Sequence, residues 1–247
     1  MKKIKVGAVS YLNTKPLLYG IERSSALMQQ IELVTDFPSK IAAQLLNNEI
    51  DVGLVPVAVI PKMKEYFIIS DYCIGAENNV ASVCLFSDVD LGKIEKILLD
   101  YQSKTSVALC KVLLKNYWKK DIILEDAKQD FVDEIDNTTA AVLIGDRALK
   151  QRQHSKYIYD LAGEWKAFSG LPFVFAAWIA NKKLPGDFIE LFNQKNAEGI
   201  NNIDAVLKQT KCDYYDLKTY YKKNISYFLN EEKKKGLELF LDLLQKL

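Results

Sequence analysis

The sequence is almost without histidine. Its single copy, His154, lies in the polar run Gln151-Arg152-Gln153-His154-Ser155-Lys156 and reads as a surface residue. One histidine leaves no pair for metal binding and makes Ser-His-Asp or Cys-His catalysis a poor fit. Four cysteines stand at 73, 84, 110 and 212, none in a CxxC pair. Zinc knuckles and thioredoxin-type redox motifs are therefore excluded, and reduced, buried thiols are expected. There is no GxxxxGK[ST] phosphate loop and no GxGxxG dinucleotide fingerprint, and Asp88-Val89-Asp90 is too short for a calcium loop. Neither sign of charge is in excess: 33 basic residues face 32 acidic ones, a formal net charge of +1. Binders of nucleic acid or anionic membrane show a basic surplus on one face, so neither partner is expected. Long apolar runs are also missing. Leu171 to Ala180 contains Pro172 and reaches about half of the ~20 residues that a membrane span needs. After Met1-Lys2-Lys3 the apolar run is broken by Lys5 and is too short for a secretion signal. Together these absences predict a cytoplasmic protein.

What is present is an alternation of strand-like and helix-like segments in 247 residues, enough for two lobes of roughly 100 residues each. Ile4 to Val9 is a short apolar strand. Thr14 reads as an N-cap, with Pro16 inside the first turn of a helix running to about Arg23. Ile31 to Asp36 is strand-like, 39–48 helical, and Asp51 to Val55 a buried strand. Tyr66 to Ile69 and Tyr72 to Ala76 are two further strands. This βαβα order implies a largely parallel sheet covered by helices. The pattern restarts with strands at Val80 to Phe86 and Ile94 to Leu99. A helix follows at Thr105 to Trp118, a strand at 122–124, a helix at Gln129 to Ile135, and a strand at Ala140 to Ile144. Asp146 to Gln153 is helical, Tyr157 to Leu161 a strand, and Pro172 to Asn181 returns to the first style. Beyond Gly186 the chain is mostly helical, closing on an amphipathic helix from about Asn230. The fold class is therefore α/β. Lobe I would be 1–85 plus 171–247, and lobe II would be 86–170. Ligands of open α/β sheets bind beyond the carboxyl ends of strands, so two such lobes would face each other across a central cleft.

Four strand ends carry the polar residues worth weighing. Ser103-Lys104-Thr105-Ser106 opens a helix, where hydroxyls, free N–H groups and the positive end of the helix dipole make an anion site; plain capping explains the same residues. Asn13, just before a helix, suits a turn or a ligand contact. Ser82 sits in an apolar run, as a satisfied buried hydroxyl or a site residue. Asp146 suits a helix cap, and Arg147 reads as solvent-exposed. The aromatic pairs Tyr214-Tyr215 and Tyr220-Tyr221 have near-helical spacing and read as packing. The residues alone thus give a two-lobed protein with an amide- and hydroxyl-lined cleft for a small anion, without saying whether that anion is bound or transformed.

A resemblance adds the chemistry. The opening Val6-Gly7-Ala8-Val9-Ser10-Tyr11-Leu12-Asn13-Thr14-Lys15-Pro16-Leu17 resembles the signature of the chorismate dehydratases of the futalosine route to menaquinone. Further matches follow in family order. They are Gly53-Leu54-Val55-Pro56-Val57, Cys73-Ile74-Gly75-Ala76, Val80-Ala81-Ser82-Val83, Ser103-Lys104-Thr105-Ser106 and Ile144-Gly145-Asp146. Asp160-Leu161-Ala162-Gly163-Glu164-Trp165 and Gly170-Leu171-Pro172-Phe173-Val174-Phe175-Ala176 complete the set. Lys104 departs from the pattern, which often has arginine there. The resemblance implies a type II periplasmic-binding-protein-like fold and a hydro-lyase that turns chorismate into 3-[(1-carboxyvinyl)oxy]benzoate without metal or organic cofactor. It marks Asn13 and Ser82 as catalytic, and Ser103, Thr105, Ser106 and Asp146 as substrate-binding. Two alternatives share the fold. One is the sister enzyme acting on cyclic dehypoxanthine futalosine, whose opening loop is usually Ser-Pro-x-x-Asn-Asp. The other is a non-catalytic binding protein for small anions.

Overall fold

The computed structural model describes residues 3–247. The first α/β block consists of β1 (Ile4–Val9), α1 (Lys15–Arg23), α2 (Ser25–Gln30), β2 (Ile31–Asp36), α3 (Pro38–Leu46), β3 (Val52–Pro56) and β4 (Phe67–Ala76). The second consists of β5 (Val83–Ser87), β6 (Lys96–Leu99), α4 (Lys104–Leu113), β7 (Ile123–Asp126), β8 (Thr139–Ile144), α5 (Gly145–Gln151), β9 (Tyr157–Asp160) and α6 (Leu161–Ser169). The chain then continues through β10 (Phe173–Ala180), α7 (Gly186–Asn201), α8 (Ile203–Lys208), α9 (Leu217–Thr219), β11 (Ser226–Phe228) and α10 (Glu231–Gln245).

These strands form two mixed sheets. One is six-stranded in the order β11-β4-β10-β3-β1-β2, and the other five-stranded in the order β7-β6-β8-β5-β9. In the first, β1 runs parallel to β2 and β3, whereas β10 is antiparallel to β3 and β4. Every residue of β3 and of β5 is buried. Their unbroken apolar runs follow from sheets covered on both faces, where no solvent side exists to favour alternation. The second sheet begins at Val83, three residues ahead of the boundary expected from the sequence pattern.

Helix α7 lies on α1 through glycine. A Cβ on Gly199 would stand 1.9 Å from the carbonyl oxygen of Pro16, and one on Gly20 2.3 Å from that of Lys195. Only bare backbone permits that approach. The two sheets are joined by an aromatic knot. Trp165 of α6, Phe173 of β10 and Phe240 of α10 are all buried and meet edge-to-face at 5.3, 5.0 and 6.1 Å between centroids. Such pairs contribute about 0.5–1.5 kcal/mol each beyond simple burial. Among the described residues no helix is long and apolar enough to cross a membrane.

Several local expectations need correction. The segments 66–69 and 72–76 are one strand, because β10 pairs along its whole length on one side. The strand expected from Val80 starts at Val83; residues 80–82 are loop, with Ala81 left-handed at φ 64°. Residues 131–134 form only a 3-10 turn, and the helix of α4 widens into a π-turn at Leu114–Trp118. Thr14 stands at the N-cap position but makes no side-chain cap. Asp146 does not cap α5 either; Ile144 occupies that place.

Candidate active site

The carboxyl ends of β1, β3, β6 and β8 converge between the sheets on a cavity of about 50 Å³. Its polar wall is Tyr11, Asn13, Thr14, Ser82, Ser103 and Ser106, and its apolar wall includes Pro38, Pro56, Ile74, Ile144 and Phe175. No lining side chain is charged. A larger groove of about 610 Å³ runs outside the first sheet, over Ile68, Leu237 and Leu241. It lies on the outer face, away from the carboxyl ends of the strands where ligands of open α/β sheets bind, and its Ser70 and Asn193 are spent on each other at 2.7 Å, so the smaller cavity is the better site.

Asn13 sits in the single 3-10 turn Leu12–Thr14 that links β1 to α1. Its Oδ1 accepts from Thr14 Oγ1 at 3.2 Å, and its carbonyl accepts from the buried Tyr227 hydroxyl at 3.0 Å. Ser82, in the same lining, is 1% exposed. Its Oγ accepts from the Tyr220 hydroxyl at 2.8 Å, and its carbonyl accepts from Gly145 N at 2.8 Å. Gly145 has φ 61°, and a Cβ there would press on the Tyr11 ring at 3.1 Å, so the turn favours glycine twice over. Burial drives the Tyr11, Tyr220 and Tyr227 hydroxyls well above their ordinary titration range, which keeps all three protonated.

The loop that presents Ser82 is held from both sides. Asp160 accepts from Val80 N at 3.0 Å and Ala81 N at 2.7 Å. The same carboxylate caps α6 through Ala162 N and Gly163 N. Arg152 donates to the Ala81 carbonyl at 3.3 Å. Ala81 thereby keeps a left-handed backbone that an isolated alanine disfavours by roughly 1–2 kcal/mol.

Ser103 caps α4, accepting from Ser106 N at 3.2 Å, and its Oγ lies 2.9 Å from Ser106 Oγ. Both hydroxyls and the first turn of α4 face the cavity, the arrangement that receives anions. Thr105 does not line it. Its buried Oγ1 accepts from Ala58 N at 3.1 Å and so ties α4 to the first sheet. Asp146 is also outside the lining; its carboxylate accepts from Leu12 N at 3.3 Å and steadies the Asn13 turn. Burial pushes the Asp146 carboxyl upward, only partly countered by that N–H and by Lys15 and Lys150.

Arg147, read from the sequence as solvent-exposed, instead donates from Nη2 to both carboxylate oxygens of the buried Asp100, at 2.8 and 2.7 Å. Asp100 also accepts from Gln102 N and Ile144 N, so it clips the loop before Ser103 to the end of β8. Burial raises its carboxyl against the opposing pull of Arg147. Tyr11 reaches across the cleft to donate to Gln102 Oε1. Sequence reasoning missed Tyr220, Tyr227, Asp160 and Asp100. Their signals were a tyrosine-rich tail and two acids at strand ends, and for Asp160 also its place at the head of a family motif, which gave it no role. The described residues hold no group of three or more His, Cys, Asp or Glu placed to take a metal ion. His154 is exposed, as expected.

The chain is 24% identical to chorismate dehydratase of Thermus thermophilus over 99% of its own length and 96% of that protein. It is 28% identical to chorismate dehydratase of Campylobacter jejuni, over 91% of this chain and 86% of that one. A solved Archaeoglobus fulgidus protein superposes with a TM-score of 0.74 at 16% identity, covering 99% of this chain and 97% of that one. The periplasmic aliphatic sulphonate binding protein of Escherichia coli superposes at 0.61 and 12% identity, covering 100% and 92%. The fold is thus periplasmic-binding-protein-like, as expected. A family model described as menaquinone biosynthesis matches residues 4–246, and the chain belongs to that family.

Proposed function

We propose that the protein is a chorismate dehydratase, a hydro-lyase that removes water from chorismate to give 3-[(1-carboxyvinyl)oxy]benzoate. The observation that carries this reading is that Asn13, Ser82, Ser103 and Ser106 line one cavity. Chorismate is a dianion, and Ser103, Ser106 and the N–H groups opening α4 hold its ring carboxylate. The diene links that carboxylate to C3, so hydrogen bonds there stabilise the charge that develops as the C3 proton leaves. Asn13 and Ser82 orient the reacting edge and donate to the C4 hydroxyl as its bond breaks. No lining residue is a carboxylate, imidazole or amine. The substrate's own enolpyruvyl carboxylate therefore takes the C3 proton and passes it to the C4 hydroxyl, which lies on the same ring face. The C3–H and C4–O bonds break, the C3–C4 double bond completes the aromatic ring, and one water departs.

The same reading assigns residues 1–85 with 171–247 to one lobe and 86–170 to the other, closing on substrate. The direct test is incubation of the purified, metal-stripped protein with chorismate, following the diene absorbance and the product mass. Loss of one water is expected. Unchanged chorismate with folded protein overturns the reading in favour of the sister enzyme or a binding protein.

A further inference from the structure

Behind the cavity wall lie hydrogen bonds that fix the site's short side chains, and the one to Ser82 has a direction. Thr14 Oγ1 donates to Asn13 Oδ1 and the Tyr227 hydroxyl to the Asn13 carbonyl, so both Asn13 oxygens are held by donors from its own side of the cavity wall. Tyr220 donates its single proton to Ser82 Oγ at 2.8 Å. A serine hydroxyl has one proton and two acceptor sites. With an acceptor site filled by Tyr220, the Ser82 proton is left to point into the cavity. Tyr220 is fully buried and is not part of the cavity lining, so it touches Ser82 and not the ligand.

We propose that Tyr220 is a positioning residue that fixes Ser82 as a hydrogen-bond donor aimed at the leaving C4 hydroxyl, an inference that rests on the dehydration reading. Two features make the direction stable. Tyr220 is fully buried and its ring packs against Tyr215 and Tyr221 at 6.0 and 5.7 Å, which holds its hydroxyl on Ser82. Successive donors also polarise one another, so Ser82, which accepts from Tyr220, is a stronger donor than an isolated serine. The segment carrying Tyr220 is one π-helical turn, Tyr220–Asn224; such turns are uncommon and are often found at functional sites.

The test is a double-mutant cycle with Tyr220→Phe and Ser82→Ala, measuring kcat, KM and thermal midpoint. The ring of Phe keeps the packing, so only the hydroxyl is lost. Tyr220→Phe should lower kcat about tenfold, the size of one hydrogen bond, and change KM by less than about threefold. In the Ser82→Ala background it should lower kcat no further, because the effect passes through Ser82. Multiplicative losses, or a lowered midpoint with unchanged kcat, overturn the proposal. If the wild-type protein leaves chorismate intact, the dehydration reading fails by itself. The crystal structure of Tyr220→Phe then decides the relay: Ser82 Oγ is expected to leave its rotamer, and an unmoved Oγ overturns the inference.

Discussion

Ser82 and Asn13 are short side chains, so their chemistry depends on where backbone places them. Truncating either removes a neutral donor from a site without charged groups to compensate. Asn13→Ala and Ser82→Ala should each lower kcat about 100-fold or more, with thermal midpoints near wild type. Steady-state kinetics on chorismate checks this, and activity within about threefold of wild type would remove these residues from the mechanism. Asp146 belongs to a different class. Its carboxylate serves the Leu12 N–H, and Asn can accept the same bond, so Asp146→Asn should keep kcat within about threefold of wild type. The pH dependence has a definite sign. Burial raises this carboxyl above its ordinary 3.8, so its stabilising contribution is full below that value and is lost as pH rises through the raised one. The Asn variant escapes that loss, and its midpoint should gain on wild type from pH 4 to pH 7. A constant difference across that range would contradict the assigned cause.

At the scale of elements, the strand and helix order was legible because strands buried on both faces write themselves as apolar runs bounded by polar turns, but their direction was not: the sheet expected to be largely parallel is antiparallel at β10, β4 and β11. Asn230 was readable as the start of α10, and it does cap that helix through Lys233 N. The loop before β5 was not readable. Val80-Ala81-Ser82-Val83 looks like more strand, and only the long-range bonds from Asp160 and Arg152 hold Ala81 left-handed. Partners some 70 to 80 positions away in sequence leave no local periodicity. Asn13, Ser82 and the Ser103-Ser106 pair were found as strand-end polar residues, whereas Tyr220 hid inside an ordinary aromatic tail. The Asp160 clamp makes a prediction of its own. Asp160→Ala strips acceptors from Val80, Ala81, Ala162 and Gly163 N–H groups in a buried site. A loss of about 3 kcal/mol follows if water repairs part of the damage, which for a chain of this size is about 6–12 °C in midpoint. Calorimetry showing a shift under about 2 °C would mean that the clamp is dispensable.

For the molecule as a whole, the decisive quantity is the cavity of about 50 Å³, well below the ~300 Å³ at the lower end for ligand pockets. On the proposed reading this conformation is the closed one, and access of chorismate requires the two sheets to part. Their parting must break the bonds that cross the cleft, among them Thr105 Oγ1 to Ala58 N and Tyr11 to Gln102. Thr105→Val keeps the shape of the side chain but leaves the Ala58 N–H unpaired in the closed state alone, since water reaches it once the cleft opens. That penalty shifts the population toward the open form. The expected result is a rise in KM of about tenfold with kcat within about threefold, because the closed complex, once formed, holds the same reacting groups. Small-angle scattering separates this from a lost ligand contact. Ligand-free Thr105→Val should be more expanded than wild type, and saturating ligand should bring both to the same compact profile. A raised KM with an unchanged ligand-free profile would instead make Thr105 a direct contact of the substrate, as its place in the Ser-Lys-Thr-Ser motif first suggested.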